Sequence, residues 1–365
     1  MKPPINIEKQ FYRPVCNEAE IDRIFNVKDA TDYLLKLRAD TIVDHMRLFR
    51  VYRNYALANE GKWSLEQSFK TQHYTNFFNK LDKEKKELCS DITFGNIFSN
   101  EPNGQIFRTD YNPIITICDS LRFFFKFMNL GLMDFGKRIP AHVSHNSIRI
   151  ALRVMLQSEA LDFLMDPRGI IPADIGEDIH STIPYQMQFI AGHEFAHYIL
   201  GHLSENKLMN KPIFKAIFTN QEDYNFQKVY NYSQQNEFDA DIKSIEFGNY
   251  DIEEKTKIFE SALLWFASLD LYEAIEHYIS PPIGYITHPP ARDRFENILE
   301  KISMPKKYDY SKWKGLLKVI DYYKEFFLED VALNIENYEI YGSVYLDKPN
   351  TKWRGKELID RQDYY

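Results

Sequence analysis

Two histidines four positions apart, with a glutamate directly after the first, have the clearest chemical potential in this sequence. They are His193, Glu194 and His197, in the run His-Glu-Phe-Ala-His. Residues four apart share one face of a helix, so both imidazoles can bind one metal ion. Glu194 is rotated by about 100° from His193, which places its carboxylate beside the ion. There it can take a proton from a metal-activated water and pass it to a leaving amine. The pattern predicts a hydrolytic zinc site, although a pair of ordinary core or surface histidines has the same spacing.

The third metal ligand separates the possible classes of zinc site. A metzincin needs glycine three and histidine six residues beyond His197, but those positions hold Leu200 and Leu203. A carboxylate from a second helix is the other common solution. Glu237 and Asp241 are again four apart and share a helical face. We expect Glu237 to complete the zinc site and Asp241 to accept the Nδ1 hydrogen of a ligand imidazole.

The acidic segment around Glu237 leaves alternatives open. Asp239 is a rival ligand, but it has no carboxylate partner one turn later. The acidic residues could also form a solvated helix face with no metal. Ala240 is small, so we expect it to let the two helices approach closely.

These two motifs resemble those of a known group of enzymes. The run from Gly192 to His202 and the segment from Glu237 to Asp241 look like the gluzincin peptidases, most of all the family of HtpX and the CAAX-prenyl endopeptidases. That family has a His-Pro segment in which an arginine follows the histidine by six positions, and His288 and Arg294 match it. The resemblance covers residues 185–300. It implies a zincin-like catalytic domain and a zinc-dependent endopeptidase.

His288 and Arg294 have a physical interpretation beside this resemblance. The prolines after His288 hold it extended and begin a helix. We expect His288 to project toward the zinc or the developing oxyanion. Arg294, on the helix, would pair with Asp241 or polarise the substrate carbonyl. The alternatives are an ordinary loop histidine and a surface ion pair.

The sequence differs from these relatives, which are mostly membrane-embedded, because it has no uncharged apolar stretch of eighteen residues. The closest segment, Ile114 to Phe135, is interrupted by charged residues, so no membrane span is predicted. A weaker resemblance connects the chain to the Lit-type phage-exclusion peptidases, which cleave a host translation factor. That resemblance implies a narrow intracellular protein target and a host-defence role.

Composition excludes several classes of protein. The 365 residues have a formal net charge of −8, which gives no global attraction for nucleic acid or anionic lipid. Cys16, Cys89 and Cys118 are widely spaced, which is typical of a reducing compartment and argues against thiolate zinc ligands. The first fourteen residues contain no apolar signal core, so we expect a cytoplasmic protein.

Periodicity predicts mainly helices. Residues 17–90 have helical spacing, and longer single helices are predicted over 114–133, 184–200, 234–247, 252–278, 290–302 and 311–329. Asn103-Gly104 predicts a hairpin turn within 91–110. The apolar run 147–166 fits either strand or helix. In the motif helix, Ser181 or Thr182 would cap a first turn at Pro184, and Gly201 would end it.

Together these patterns predict an α+β, predominantly α-helical protein in three parts. Residues 1–145 form a mainly helical N-terminal region, 146–304 a zincin-like domain with a short sheet beside the motif helix, and 305–365 a C-terminal helix and polar tail. We expect one Zn²⁺ per chain, a gating partner, and a protein or peptide substrate that binds an edge strand. The alternative is a catalytically silent, zinc-stabilised binding module, which would have no use for Glu194.

Overall fold

Capped helices make up the start of the chain. The computed structural model describes residues 7–100, 102–203, 208–212, 226–230, 233–281, 288–346 and 358–359. The first helices are α1 (Ile7–Tyr12), α2 (Glu18–Phe25), α3 (Ala30–Asp44), α4 (Met46–Ala58), α5 (Leu65–Ser68), α6 (Gln72–Lys80) and α7 (Lys83–Leu88). Asn17, Asp29, Ser64 and Asp82 each accept a hydrogen bond from a first-turn backbone N–H. Such caps satisfy donors that a helix start leaves unpaired.

The sheet begins with β1 (Thr93–Ile97), β2 (Gly104–Arg108) and β3 (Ile114–Cys118). β3 lies between the other two, parallel to β1 and antiparallel to β2. The hairpin predicted at Asn103-Gly104 is therefore wrong, because β1 and β2 are not neighbours and β2 pairs with β3. The Asn-Gly turn signal gives no information about β3, which comes later in the chain and pairs with both β1 and β2.

Two strands from further along the chain extend this sheet. They are β4 (Leu208–Pro212) and β5 (Phe226–Tyr230), and the order is β1-β3-β2-β5-β4. β2 and β3, which both contact the motif helix, are therefore inner strands, and β1 and β4 are the outer strands of the described sheet.

The segment predicted as one helix over 114–133 is a strand followed by a helix. All five residues of β3 are buried, and three of them are isoleucine. A β-branched run buried on both faces favours a central strand. Helix α8 (Leu121–Leu132) begins only after Ser120. The prediction failed because a short buried strand has no alternation to distinguish it from a buried helix.

The first part of the ambiguous run 147–166, up to Met155, lies in a helix, α9 (Ala141–Met155). After Met155 the chain continues in turns up to the next helix. The domain boundary expected near residue 145 thus lies inside α9. This helix packs against α8.

The motif helix, α10 (Ala173–Ile199), begins eleven residues before the predicted start, directly after its N-cap residue Pro172. Pro184 lies inside it, so the prediction of a first-turn proline with a Ser181 or Thr182 cap is wrong. Both hydroxyls instead donate to the carbonyl oxygen of Asp178. The predicted end is confirmed, since Gly201 follows the last turn with φ +68°.

The later helices agree with their predicted positions within a few residues. They are α11 (Gln234–Glu246), α12 (Ile252–Ile279), α13 (Ala291–Lys301) and α14 (Ser311–Leu333), followed by α15 (Glu336–Glu339), β6 (Ser343–Val344) and β7 (Leu358–Ile359). The polar tail predicted after residue 347 falls mostly outside the described residues. Of the helices that are described, none is long and apolar enough to cross a membrane.

Helix α10 is the central element of this mostly helical α+β fold. It packs against α6, α8, α11 and α12, and against strands β2 and β3. Every residue from Gln186 to His197 is buried. The motif residues are thus held on a helix whose surroundings fix its position.

Candidate metal centre

Helices α10 and α11 bring the predicted ligands together at a close approach. A Cβ on Gly192 would lie 2.6 Å from Cε2 of Phe77 and 3.2 Å from the backbone oxygen of Ser244 on α11. Only glycine at position 192 permits this separation. Ala240, expected to allow the approach, is fully buried. Ala240 on α11 was predicted from the sequence as a small residue at this contact, whereas Gly192 on α10 was not.

His193, His197 and Glu237 form a buried group whose ligand atoms lie within 4.8 Å of one another. The two Nε2 atoms are 3.0 Å apart. Glu237 Oε2 lies 3.5 Å from Nε2 of His193, and Oε1 lies 3.4 Å from Nε2 of His197. Three side chains predicted from sequence as ligands thus converge on one point.

The donor set fits a cation. Glu237 is only 1% exposed, yet neither of its carboxylate oxygens receives a well-aligned hydrogen bond from the described part of the chain. A buried carboxylate without well-formed hydrogen bonds favours positive charge beside it. A bound cation would add to the charge of Arg294, whose Nη1 lies 3.4 Å from Oε2 of Glu237. Ligand atoms of a tetrahedral ion with bonds of 2.0–2.2 Å stand about 3.3–3.6 Å apart. The two distances from Nε2 to the carboxylate, 3.5 and 3.4 Å, fit that spacing, and the Nε2–Nε2 distance of 3.0 Å is shorter than it.

The pKa values of the triad describe its electrostatics. Burial opposes the charged imidazole of His193, but Asp241 and Glu237 outweigh it and raise its pKa to about 10. Burial lowers the pKa of His197 to about 3. Burial also opposes the charge on Glu237, yet His288 and the two triad histidines hold its pKa well below the usual range. The site therefore combines the neutral imidazole of His197, the ionised carboxylate of Glu237 and the imidazole of His193, whose surroundings favour positive charge.

Asp241 and Arg294 stand behind His193. Asp241 Oδ1 lies 2.9 Å from His193 Nδ1, although the angle falls short of a well-formed hydrogen bond. Arg294 donates to both oxygens of Asp241, and its Nη1 lies 3.4 Å from Glu237 Oε2. Of the two roles expected for Arg294, the structure places it on Asp241. Arg294 therefore contacts both Asp241 and the candidate ligand Glu237.

His288 lies at the open side of the group. Its Nδ1 is 3.0 Å from Glu237 Oε2, and its side chain is 47% exposed. It is not among the residues whose ligand atoms cluster in the triad. His288 is thus beside the candidate metal and partly accessible to a second molecule.

Glu194 is buried between α10 and the start of β2. A Cβ on Gly104 would lie 3.0 Å from Glu194 Oε1 and 2.6 Å from Cγ2 of Ile190. Burial raises the pKa of Glu194 to about 7, with Glu237 adding to the shift and His193 opposing it. A carboxyl group with a pKa near neutrality is suited to exchange protons. Gly104 was read in the sequence only as a turn residue, and its role as the contact for Glu194 depends on strand order.

His202 is a site residue that the sequence argument did not identify. Its Nδ1 lies 3.0 Å from Nδ1 of His197. The available signal was its place directly after Gly201, because the residue after a helix-ending glycine folds back over the last turn.

A cavity of about 1020 Å³ lies away from this centre, lined by residues of α6, α10, α12 and α14. None of the seven predicted site residues is among those lining it. The cavity is therefore separate from the candidate metal centre.

The fold and the centre define a mostly helical α+β protein with a buried two-histidine, one-glutamate group that can hold a metal ion. Comparisons with protein-family models, with curated proteins and with solved structures found no match for the chain. The resemblance to gluzincins therefore depends on the motif residues alone.

Proposed function

We propose that this protein is a zinc-dependent endopeptidase of the gluzincin type, with a zincin-like catalytic domain. The observation that carries the proposal is the position of Glu194. It is buried beside His193, His197 and Glu237 but is not one of the three clustered ligands. A structural zinc site uses four protein ligands and has no role for an additional carboxylate. A hydrolytic site needs such a group.

Two imidazoles and one carboxylate suit both zinc and ferrous iron. The carboxylate of Glu194 beside them favours zinc, because hydrolytic zinc sites combine this ligand set with a general base. When bound, zinc lowers the pKa of a coordinated water to about 7 and polarises a carbonyl oxygen. His193, His197 and Glu237 would hold the ion.

Glu194 would carry the proton. Its carboxylate takes the proton of the attacking water and delivers it to the nitrogen of the leaving amine. Because Gly104 of β2 packs against it, the carboxylate has a defined position from which to do so.

The remaining predicted residues would support this reaction. Arg294 and Asp241 fix the ring of His193 through the contact at Nδ1. His288 has an exposed ring edge beside Glu237, from which it would donate a hydrogen bond to the developing oxyanion. The substrate is a protein or peptide, and we expect a narrow target.

A Glu194→Gln comparison tests the proposal. The purified parent and variant are assayed for bound metal and then incubated with a proteome in which new peptide termini are quantified. Glu177→Gln is the matched control, because Glu177 is exposed on the same helix. We expect one zinc per chain in all three proteins. New termini should appear with the parent and the control and fall by at least about 100-fold with Glu194→Gln.

Two results would contradict this expectation in different ways. If none of the proteins holds zinc after loading, the metal assignment is wrong. If all hold zinc and none cuts, even with cell extract added to supply a gating partner, the protein is the catalytically silent zinc-stabilised module and not a peptidase.

A further inference from the structure

The imidazole of His202 lies against that of His197. Their Nδ1 atoms are 3.0 Å apart and their ring centroids 5.1 Å apart. The opposite nitrogen of His197, Nε2, faces His193 and Glu237. His202 thus meets the side of the His197 ring that points away from the metal-binding group.

The end of α10 directs His202 to this position. Gly201 adopts φ +68°, and its N–H donates to the carbonyl oxygen of Tyr198 at 3.0 Å. The N–H of His202 donates to the carbonyl oxygen of His197, also at 3.0 Å. This pair of bonds is the Schellman arrangement, which folds the residue after the glycine back over the last turn. His202 therefore contacts His197 through both backbone and ring.

The contact determines which nitrogen of His197 carries a proton. A neutral imidazole has one donor and one acceptor nitrogen, and a ligand nitrogen must be unprotonated. If Nε2 of His197 is the ligand, Nδ1 carries the hydrogen and donates it. His202 Nδ1 lies at hydrogen-bond distance to accept it. His193 has the carboxylate of Asp241 at the equivalent nitrogen, so the two ligand histidines have different partners.

We propose that His202 is a positioning residue of the metal centre: it accepts the Nδ1 hydrogen of His197 and holds Nε2 toward the ion. This inference rests on the proposed function, because it requires that the group binds a metal. A ligand histidine of a protein zinc site usually donates its second nitrogen to a carboxylate, a carbonyl or water. Here a neutral imidazole would take that role.

Substitution of His202 tests this role with metal binding as the readout. Zn²⁺ affinity is measured by chelator competition, and the absorption spectrum of the Co²⁺-loaded protein is recorded. His202→Leu removes the acceptor and should weaken Zn²⁺ binding by about 10- to 100-fold and shift the Co²⁺ bands. His202→Asn can place an amide oxygen near the Nδ1 position, so it should restore most of the affinity and the parent spectrum.

His180→Leu is the matched control, because His180 is exposed near the start of the same helix. It should bind Zn²⁺ like the parent. Urea unfolding of the metal-free proteins verifies that each variant is folded.

Two outcomes would overturn the inference while the proposed function stands. One is parent-like Zn²⁺ affinity in a folded His202→Leu protein. The other is an equal loss in the Leu and Asn variants, which would show that only the volume of the ring matters. If the parent itself binds neither Zn²⁺ nor Co²⁺, the proposed function fails first and the inference with it.

Discussion

Arg294 and Asp241 form a bidentate ion pair, with Nε 2.7 Å from Oδ2 and Nη2 2.6 Å from Oδ1. The pair joins α13 to α11 directly behind His193, and both partners are buried. The guanidinium carbon of Arg294 also lies 4.5 Å from the ring centroid of Phe266. A buried charge that loses its partner is left uncompensated in a poorly polarisable environment. This pair therefore affects both the stability of the fold and the orientation of His193.

Asp241→Asn should lower both stability and metal affinity. The variant removes the negative charge that faces Arg294 and His193. We expect the free energy of unfolding to fall by about 3–5 kcal/mol and Zn²⁺ affinity to fall by about 10- to 100-fold. Urea unfolding and chelator competition measure the two effects.

Asp239→Asn is the control for this prediction, because Asp239 is exposed on the same helix and accepts a hydrogen bond from Gln235. It should change neither quantity measurably. If Asp239→Asn lost zinc while Asp241→Asn behaved like the parent, Asp239 and not Asp241 would be the carboxylate that supports metal binding.

Removal of the metal should destabilise the parent protein, and this effect should depend on Glu237 as a ligand. Zinc at a free concentration 100 times its dissociation constant stabilises a folded protein by about 2.7 kcal/mol when only the folded state binds it. We expect that increment in the parent and its loss on adding a chelator. Glu237→Ala should show almost no increment at the same zinc concentration. An unchanged increment in that variant would remove Glu237 from the ligand set.

Gly192→Ala should separate α10 from α11. The new methyl group would lie 2.6 Å from the ring of Phe77 and 3.2 Å from the backbone of Ser244, and the backbone cannot rotate away. Overpacking of this kind destabilises by about 1–3 kcal/mol. Because the two helices carry the ligands, Zn²⁺ affinity should also decrease. Thermal unfolding and chelator competition measure both.

Gly176→Ala is the matched control on the same helix, because a Cβ there would meet nothing nearer than His180 at 3.8 Å. Replacing a helical glycine without a clash should stabilise by about 0.5–1 kcal/mol. If both alanine variants change stability in the same direction, the close approach at Gly192 is not limiting.

Stability should fall in mild acid because of His73, which lies outside the metal centre. Burial lowers its pKa to about 4, and its Nε2 lies 2.9 Å from Asn96 Oδ1. An unfolded histidine has a pKa near 6.5, so between these values the unfolded chain binds a proton that the folded chain does not. The folded state therefore loses stability as pH falls through this window.

His73→Gln keeps a donor near the Nε2 position and cannot titrate. Between pH 7.5 and pH 5 we expect the parent to lose about 2 kcal/mol more than this variant in urea unfolding. Equal losses in the two proteins would mean that His73 is protonated in the folded state.

Short-range spacing predicted much of the site. His193 and His197, like Glu237 and Asp241, share helix faces because four residues make about one turn, whatever the rest of the chain does. The end of the motif helix was predictable because glycine adopts left-handed conformations that other residues avoid. The later helices followed from the same periodicity.

The contacts between distant segments cannot be predicted from residue spacing along the chain and are seen only in the tertiary structure. β3 was mistaken for part of a helix, and its insertion between β1 and β2 depends on pairing between distant segments. Arg294 had two possible partners until packing placed it on Asp241. The position of His202 after Gly201 indicates that it folds back, but its contact with the His197 ring is seen only in the tertiary structure. Which side chains share a helix face depends on local backbone geometry, so residue spacing along the chain predicts it. Which faces meet depends on how the whole core packs, so it requires the folded structure.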